Sequence, residues 1–169
     1  SYVSRFENQV SKISGQRFAV ATTCGTAALH ISLILAGVSH NVEVIAPSLT
    51  FIAPINAITY VGAIPVLFDA EPFTWQIDVS KVKLFLERDC TCRPEGVINK
   101  LTNRRVAAIL PVHVLGHPVE MDSLVSLAQR FNLPVIEDAS EALGSSYKGR
   151  EVGSAGMFAC YSFNGNKII

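Results

Sequence analysis

Short runs of β-branched and aromatic residues alternate along this chain with segments of helical periodicity. Six near-continuous apolar runs are typical of strands that are buried on both faces of a sheet. They cover residues 18–21, 42–45, 64–68, 106–112, 133–136 and 157–163. Between them, residues 27–36, 79–87 and 121–131 place apolar side chains on one helical stripe, and Asp122 is a candidate cap for the third helix. This alternation predicts a three-layer α/β sandwich with a mostly parallel sheet.

The stretch 89–105 interrupts this pattern. It is polar, contains Pro94 and Gly96, and carries several basic side chains. These basic side chains could bind a diphosphate, but a solvated loop is the better interpretation. Cys90 and Cys92 lie here with one residue between them and no matching second pair, so we expect reduced thiols in a loop and no zinc site.

Charge and hydropathy argue against several classes of protein. The 169 residues carry 14 basic and 14 acidic side chains, so the balance gives no electrostatic reason to expect nucleic acid or an anionic membrane as a partner. No apolar run approaches the roughly 20 residues that span a bilayer. Residues 1–5 lack the basic flank and apolar stretch of a signal peptide. We therefore expect a cytoplasmic protein with no membrane association.

Ligands of open α/β sheets bind beyond the carboxyl ends of the strands, so the residues that follow each strand matter most. After the first predicted strand, residues 22–28 open a helix with threonines around Gly25. Free N–H groups at a helix start attract phosphate, and a threonine hydroxyl can cap the helix, although a plain cap is the commoner meaning of such residues. The segment lacks the GxGxxG pattern, which disfavours a Rossmann dinucleotide site.

Four other strand ends carry flat or ionisable side chains. Phe51 follows the second strand and could form a wall for a flat ring, although a core position is the default. Glu137 and Asp138 end the fifth strand on opposite faces, so one of them faces the site unless it forms a structural salt bridge. Lys167 ends the loop after the sixth strand, where an amine could act as a nucleophile. His113 also ends a strand, where a structural histidine is the commoner case.

Together these residues match the needs of pyridoxal 5'-phosphate. A phosphate requires helix N–H groups, a pyridinium N–H requires a carboxylate, a flat ring requires an aromatic face, and an aldehyde requires a lysine. Each of these appears after a different strand of one predicted sheet. The same motifs, in the same order, resemble the DegT-type sugar aminotransferases, which belong to fold type I of the pyridoxal-phosphate enzymes. The resemblance runs from Phe18 to the last residue and rests on residues 25–30, 47–51, 111–113, 137–139 and 162–167.

The resemblance implies the aspartate-aminotransferase-like large domain and a role for each matched residue. Lys167 would be the Schiff-base lysine and the general base, and Asp138 would pair with the pyridine nitrogen. The phosphate would be bound by Gly25, Thr26, Ala27 and Ser162, and Phe51 would stack on the ring. Many relatives have Gln where this chain has Glu141, near the phenolic oxygen of the ring. We expect a proton on either Glu141 or that oxygen, because an ionised carboxylate has no hydrogen to donate.

The resemblance also implies a reaction and partners. Glutamate would donate the amino group, and a nucleotide-linked keto-sugar would accept it, in a homodimer whose site borrows residues from the partner chain. Residues 162–169 look closest to the branch that aminates UDP-linked 4-keto-6-deoxy-N-acetylhexosamines. Lysine at position 167 favours transamination over the related sugar 3-dehydratases, which carry histidine there. Such a dehydratase and a non-catalytic truncated remnant are the alternatives.

The family continues past this lysine with a strand that lies inside the sheet, next to the first strand, and then with a smaller C-terminal domain. We therefore expect residues 1–169 to be the incomplete large domain of a longer enzyme, with a gap in its sheet where backbone groups lack partners.

Overall fold

The computed structural model describes residues 1–167. Its helices are α1 (Tyr2–Ile13), α2 (Gly25–Leu35), α3 (Ile52–Tyr60), α4 (Val79–Leu84) and α5 (Met121–Arg130). Its strands are β1 (Glu43–Pro47), β2 (Ile64–Phe68), β3 (Cys90–Arg93), β4 (Gly96–Asn99), β5 (Arg105–Ile109), β6 (Ile136–Asp138), β7 (Ser146–Tyr147), β8 (Arg150–Glu151) and β9 (Phe158–Cys160). A π-helical turn at Phe85–Asp89 extends α4, and a 3₁₀ turn forms at Val114–Gly116. Across residues 1–167, every helix is too short or too polar to cross a bilayer.

Five parallel strands carry the site. β1 pairs with β2 on one side and β5 on the other. Parallel bridges from Ile109 to Val135 and from Val112 to Asp138 connect β5 to β6, and β6 pairs with β9. The order is therefore β2-β1-β5-β6-β9, and the carboxyl ends of all five strands lie at one edge. The mostly parallel sheet predicted from the sequence is confirmed.

Helices cover both faces of this sheet, as β1 illustrates. All five of its residues are buried. Ile45 packs in the same apolar cluster as Leu124 of α5, whereas Val44 packs in the opposite cluster with Leu33 of α2 and Ala57 of α3. Because neither face meets water, the strand is apolar from Val44 to its end at Pro47. The predicted three-layer sandwich is confirmed.

The first predicted strand, residues 18–21, is wrong. These residues have no regular secondary structure, and Phe18 and Val20 expose 74% and 80% of their surface. The amide of Ala21 donates to the carboxylate of Glu7 on α1 instead of to a strand. An apolar run becomes a strand only where a neighbour supplies backbone partners, and residues 1–167 supply none beside this run. The neighbour expected from the resemblance follows Lys167 and lies outside the described residues.

The predicted loop at 89–105 is also wrong, because most of it forms an antiparallel hairpin. β3 and β4 pair along their whole length across a two-residue turn, and β4 pairs with the start of β5. Cys90 is buried and Cys92 is exposed, and both are free thiols within strand β3. Throughout residues 1–167, His, Cys, Asp and Glu side chains form no group of three that could hold a metal ion.

A buried carboxylate anchors the hairpin to the parallel sheet. Glu43, the first residue of β1, is 1% exposed. It accepts hydrogen bonds from Asn99 Nδ2 at 2.9 Å and Thr102 Oγ1 at 2.7 Å, at the end of β4 and in the turn that follows. The hairpin therefore lies at the amino ends of β1 and β5, opposite the edge where the parallel strands end.

The three predicted helices form with shifted ends. α2 begins at Gly25, and α4 changes to π-helical geometry at Phe85. The predicted cap Asp122 is wrong, because Glu120 occupies the cap position of α5. Asp122 instead pairs with Lys148 at 2.7 Å and with Arg150, which ties α5 to the β7–β8 hairpin.

Candidate active site

A groove of about 1200 Å³ opens along the carboxyl ends of the parallel strands. It is lined by the start of α2, the loop before α3, and the segments that follow β6 and β9. Seven of the residues proposed from the sequence line it: Gly25, Thr26, Phe51, Asp138, Glu141, Ser162 and Lys167. The eighth, Ala27, does not line the groove and can contribute only through the backbone of the first helical turn.

The first turn of α2 points its free amides at this groove. The first helical hydrogen bond is donated by Ala28 to the carbonyl of Cys24, at 3.1 Å. The amides of Gly25, Thr26 and Ala27 therefore have no helical acceptor, and the helix end carries partial positive charge. The pKa of the Cys24 thiol at this helix start is lowered, mainly by the backbone amide of Ala27. The expected threonine cap is absent, because Cys24 is the cap residue and its side chain makes no capping bond.

Gly25 allows three segments to meet. A β-carbon at this position would lie 3.2 Å from the β-carbon of Ser162 and 3.4 Å from the hydroxyl oxygen of Ser140. The segments after β9 and β6 therefore approach the helix start so closely that a larger residue would require them to move by a few tenths of an ångström. Two hydroxyl groups stand beside the free amides, and this set of donors fits a phosphate group.

Asp138 ends β6 with its carboxylate in the groove. The Ser140 amide donates to Oδ1 at 3.0 Å, as in an Asx turn. Burial raises the pKa of Asp138, while the hydrogen bonds from Ser140 and the positive charge of Lys167 act in the opposite direction. A buried carboxylate with few donors is suited to a ligand that brings its own N–H group. Ser140 had no role in the sequence analysis, although the Asp-x-Ser spacing of an Asx turn was visible.

Glu137 points to the other side of β6, as the strand period predicted. Its side chain is fully buried and accepts the backbone amides of Gly153 at 3.0 Å, Ala155 at 2.9 Å and Gly156 at 2.6 Å. It also accepts a hydrogen bond from His113 at 2.9 Å. Burial alone would raise the pKa of Glu137, but the hydrogen bonds from His113 and the backbone amides outweigh burial and lower it. The carboxylate thus fixes the loop that leads into β9.

His113 is structural in its contacts. It is 1% exposed, and both ring nitrogens are hydrogen-bonded. Nδ1 accepts the Val119 amide at 3.1 Å, so the ring hydrogen lies on Nε2 and points at Glu137. The imidazole therefore links the end of β5 to β6 and leaves no nitrogen free for a ligand.

Lys167 reaches back over the groove from the loop after β9. Its Nζ lies 2.8 Å from Oε1 of Glu141 and 5.7 Å from the centroid of the Phe51 ring. The lysine side chain is 15% exposed, and Phe51 exposes 74% of its surface, so the Phe51 ring is accessible from the groove. The amine, the aromatic face and the Asp138 carboxylate share one opening. The sequence did not predict the ion pair with Glu141.

A buried glutamine holds the turn that packs against the backbone of Glu141. Gln76 is 2% exposed, and its Oε1 accepts the Val114 amide at 3.1 Å while its Nε2 donates to the Val114 carbonyl at 3.4 Å. This clamp holds the 3₁₀ turn Val114–Gly116. Gly116 has a φ of +79°, and a β-carbon there would lie 2.7 Å from the Glu141 carbonyl oxygen. A lone glutamine in a loop gave no signal in the sequence, because its role depends on a contact 38 residues away.

The chain matches the model of the DegT/DnrJ/EryC1/StrS aminotransferase family over residues 1–169. A GDP-perosamine synthase of Escherichia coli O157:H7 is 41% identical over 169 residues, which are 100% of this chain and 42% of that protein. The structure of DesI in the presence of its TDP-sugar product is 34% identical, with a TM-score of 0.82 over 98% of this chain and 38% of DesI. A protein of Streptococcus pneumoniae described as a sugar aminotransferase, solved in its PLP form, is 26% identical. Its TM-score is 0.82, over 99% of this chain and 42% of that one.

The chain thus spans about two fifths of the length of the curated relative it matches. The likeness covers the sheet and every segment around the groove. Because the family model matches along its whole length, the chain belongs to the DegT/DnrJ/EryC1/StrS aminotransferase family, whose cofactor is pyridoxal phosphate.

Proposed function

We propose that this chain carries the cofactor site of an aminotransferase that moves an amino group from glutamate to a nucleotide-linked 4-keto-6-deoxy sugar. The observation that carries the proposal is the position of Lys167. Its amine lies 5.7 Å from the centroid of the exposed Phe51 ring, at the mouth of a groove that also contains the buried carboxylate of Asp138 and the start of α2. A lysine, an aromatic face, a carboxylate and phosphate donors at one opening are the four requirements of this cofactor.

When bound, pyridoxal phosphate supplies an aldehyde carbon and a ring that accepts electrons. The amides of Gly25, Thr26 and Ala27, with the hydroxyl of Ser162, would bind the phosphate. Phe51 would pack against the ring. Such contacts would hold the cofactor in place for the reaction, and positioning of this kind supplies much of the rate advantage of an enzyme.

Asp138 would accept the hydrogen of the ring nitrogen, and its burial would strengthen this interaction because little water competes for the carboxylate. Lys167 would hold the cofactor through its amine and, once released, would carry a proton between the substrate carbon and the aldehyde carbon of the cofactor, so the amine must be able to give up and take up a proton. Glu141 stands next to this amine. We propose that either Glu141 or the phenolic oxygen of the ring holds a proton at this position.

The choice of substrate rests on the relatives. The similar proteins include a GDP-perosamine synthase and DesI with a TDP-sugar product, which favours a sugar nucleotide as the acceptor. We further propose the UDP-linked branch, which rests on residues 162–169 alone. A lysine at position 167 is the reason to favour transamination over sugar dehydration.

We also propose that the chain is the large-domain part of a longer homodimeric enzyme. Ile31, Ile34 and Leu35 of α2 expose 46%, 52% and 66% of their surface, and the neighbouring Tyr60 of α3 exposes 62%. Such a concentration of exposed apolar side chains on two packed helices is typical of a surface that another protein surface covers.

The first experiment tests the cofactor site. Purified protein is mixed with pyridoxal phosphate, its absorbance is recorded before and after borohydride, and the reduced protein is mapped by peptide mass analysis. We expect a band at roughly 410–430 nm and a pyridoxyl group on Lys167. Lys167→Arg should lose both, while Lys81→Arg, which changes an exposed lysine elsewhere, should retain both. The absence of band and label from folded wild-type protein would favour the non-catalytic remnant.

The second experiment tests the reaction. The protein is incubated with ¹⁵N-glutamate and, in parallel, with UDP-, GDP- and TDP-linked 4-keto-6-deoxy sugars. We expect ¹⁵N in the product of the UDP-linked sugar. A product that has lost water and contains no ¹⁵N would identify a dehydratase. Transfer of ¹⁵N to the GDP- or TDP-linked sugar alone would support aminotransferase activity and reject the proposed UDP-linked branch.

A further inference from the structure

Two carboxylates lie near the amine of Lys167, and only one contacts it. Glu141 accepts its hydrogen bond at 2.8 Å. Among the ion pairs of residues 1–167, Lys167 pairs with Glu141 and not with Asp138, although its charge acts on Asp138. Glu141 therefore binds the amine, and Asp138 has no ion-pair partner among residues 1–167.

The backbone around Glu141 favours this arrangement. The carbonyl of Glu141 packs against Gly116, and Gln76 clamps the turn that contains Gly116. Asp138 is held from its own strand end, because its Oδ1 accepts the amide of Ser140 at 3.0 Å. Backbone contacts thus fix the chain at Glu141 and the side chain of Asp138, and the Glu141 carboxylate is left to pair with Lys167.

We propose that Glu141 is a positioning residue that restrains the amine of Lys167 before the cofactor arrives and leaves the Asp138 carboxylate open to the ring nitrogen. An amine must turn an unshared electron pair toward the atom that it attacks. While Nζ is paired with Glu141 above the Phe51 ring, it is an ammonium group and has no unshared electron pair. Before Lys167 can attack, its ammonium group must therefore lose a proton, and the attraction to the Glu141 carboxylate opposes that loss.

The inference deepens the proposed function, in which Lys167 binds the cofactor, but it can be tested without cofactor. Cofactor-free protein is treated with the acetylating reagent N-hydroxysuccinimidyl acetate, and the rate of modification is followed at each lysine by peptide mass mapping. In Glu141→Gln, we expect acetylation of Lys167 to be roughly two- to fivefold faster, which is the change expected from losing a partly exposed ion pair.

A matched control uses another lysine–carboxylate pair. Lys81 lies 3.1 Å from Asp69 on the surface. Asp69→Asn should accelerate acetylation of Lys81 and leave Lys167 unchanged, while Glu141→Gln should leave Lys81 unchanged. Because Glu141 is 40% exposed, its replacement should not unfold the protein. Glu141→Ala provides a second variant without the carboxylate, and the melting temperature of each variant shows that the fold is retained.

The outcomes separate this inference from the proposed function. Faster acetylation of Lys167 in both Glu141 variants supports the restraint by Glu141. If borohydride labelling finds no cofactor on Lys167, that result rejects the proposed function but not the restraint. An unchanged or slower rate at Lys167 in both folded variants overturns it. If the cofactor binds but the acetylation rate of Lys167 is unchanged in the variants, the cofactor site is supported and the restraint by Glu141 is rejected.

Discussion

Glu137 and Asp138 are adjacent in β6, yet their carboxyl groups occupy opposite environments. Glu137 is surrounded by hydrogen-bond donors that lower its pKa, whereas burial raises the pKa of Asp138. The strand period places them on different faces, so one carboxylate is used to hold the protein together and the other is available to a ligand. Their pH effects should therefore have opposite signs.

Glu137→Gln should destabilise the protein by about 1–3 kcal/mol at neutral pH, because the amide group cannot accept from all four donors. The pKa of Glu137 lies below its ordinary 4.5 in the folded protein, so its contribution is present above that value and is lost as the pH falls through the folded pKa. Urea unfolding at several pH values should show the difference between wild type and variant shrinking below pH 4.5. As a control, Glu87→Gln removes an exposed ion pair with Arg130 and should cost less than about 1 kcal/mol. An equal cost for both variants would contradict the prediction.

Asp138→Asn should have the opposite effect on the cofactor-free protein. Because burial raises the pKa of Asp138 above its ordinary 3.8, the ionised carboxylate opposes folding, and this group lowers stability as the pH rises through its folded pKa. The asparagine variant should be more stable at pH 7 by about 0.5–2 kcal/mol, the range typical when a strained functional group is replaced.

Asp138→Asn should also bind pyridoxal phosphate roughly tenfold to a hundredfold more weakly, because a charged hydrogen bond is lost. Urea unfolding and cofactor titration measure the two effects, and a variant less stable than wild type would refute the first.

Gly25→Ala should weaken phosphate binding more than it alters folding. The new β-carbon would lie 3.2 Å from that of Ser162, so the segment after β9 must move by a few tenths of an ångström. We expect about a tenfold loss of affinity for pyridoxal phosphate, or about 1.4 kcal/mol. Gly165→Ala is the matched control, since its β-carbon would meet no atom within 4 Å. Similar cofactor affinities in the two variants would argue against a phosphate site at the start of α2.

Gly153→Ala should be strongly destabilising, because its β-carbon would overlap the Tyr161 hydroxyl oxygen while φ is +90°. Gly149 also has a positive φ, +78°, but a β-carbon there would meet no atom within 4 Å. Backbone strain is therefore common to both alanine variants, and the overlap is specific to one. Gly153→Ala should lose at least about 2 kcal/mol more unfolding free energy than Gly149→Ala. Equal losses would show that the loop around Glu137 can move aside.

Sequence patterns predicted the elements whose formation depends on burial. β1 and β2 are mostly apolar runs between helices, and both formed where expected. Residues 18–21 have the same pattern but no regular structure, because a strand also needs a partner and the described residues supply none there. The β3–β4 hairpin was missed for the complementary reason. Its strands are short and partly polar, and they are stabilised by pairing onto β5, which composition does not reveal.

The same distinction applies to the site. Lys167, Asp138 and Phe51 were predicted because each follows a strand, and the ends of parallel strands must meet at one edge. The supporting contacts were not predicted. Gln76 holds a turn 38 residues away, and Glu141 pairs with a lysine 26 residues away. Such contacts depend on the final distances between loops, which periodicity does not determine.

The β3–β4 hairpin has a practical consequence for labelling. It lies at the amino ends of β1 and β5, so a fluorophore attached there would be separated from the cofactor groove by the length of the sheet. Cys92 is one of two exposed thiols in residues 1–167, and the other, Cys24, borders the groove. Replacing Cys24 with serine would therefore direct a maleimide dye to the far edge of the domain, where it could report assembly without disturbing cofactor binding.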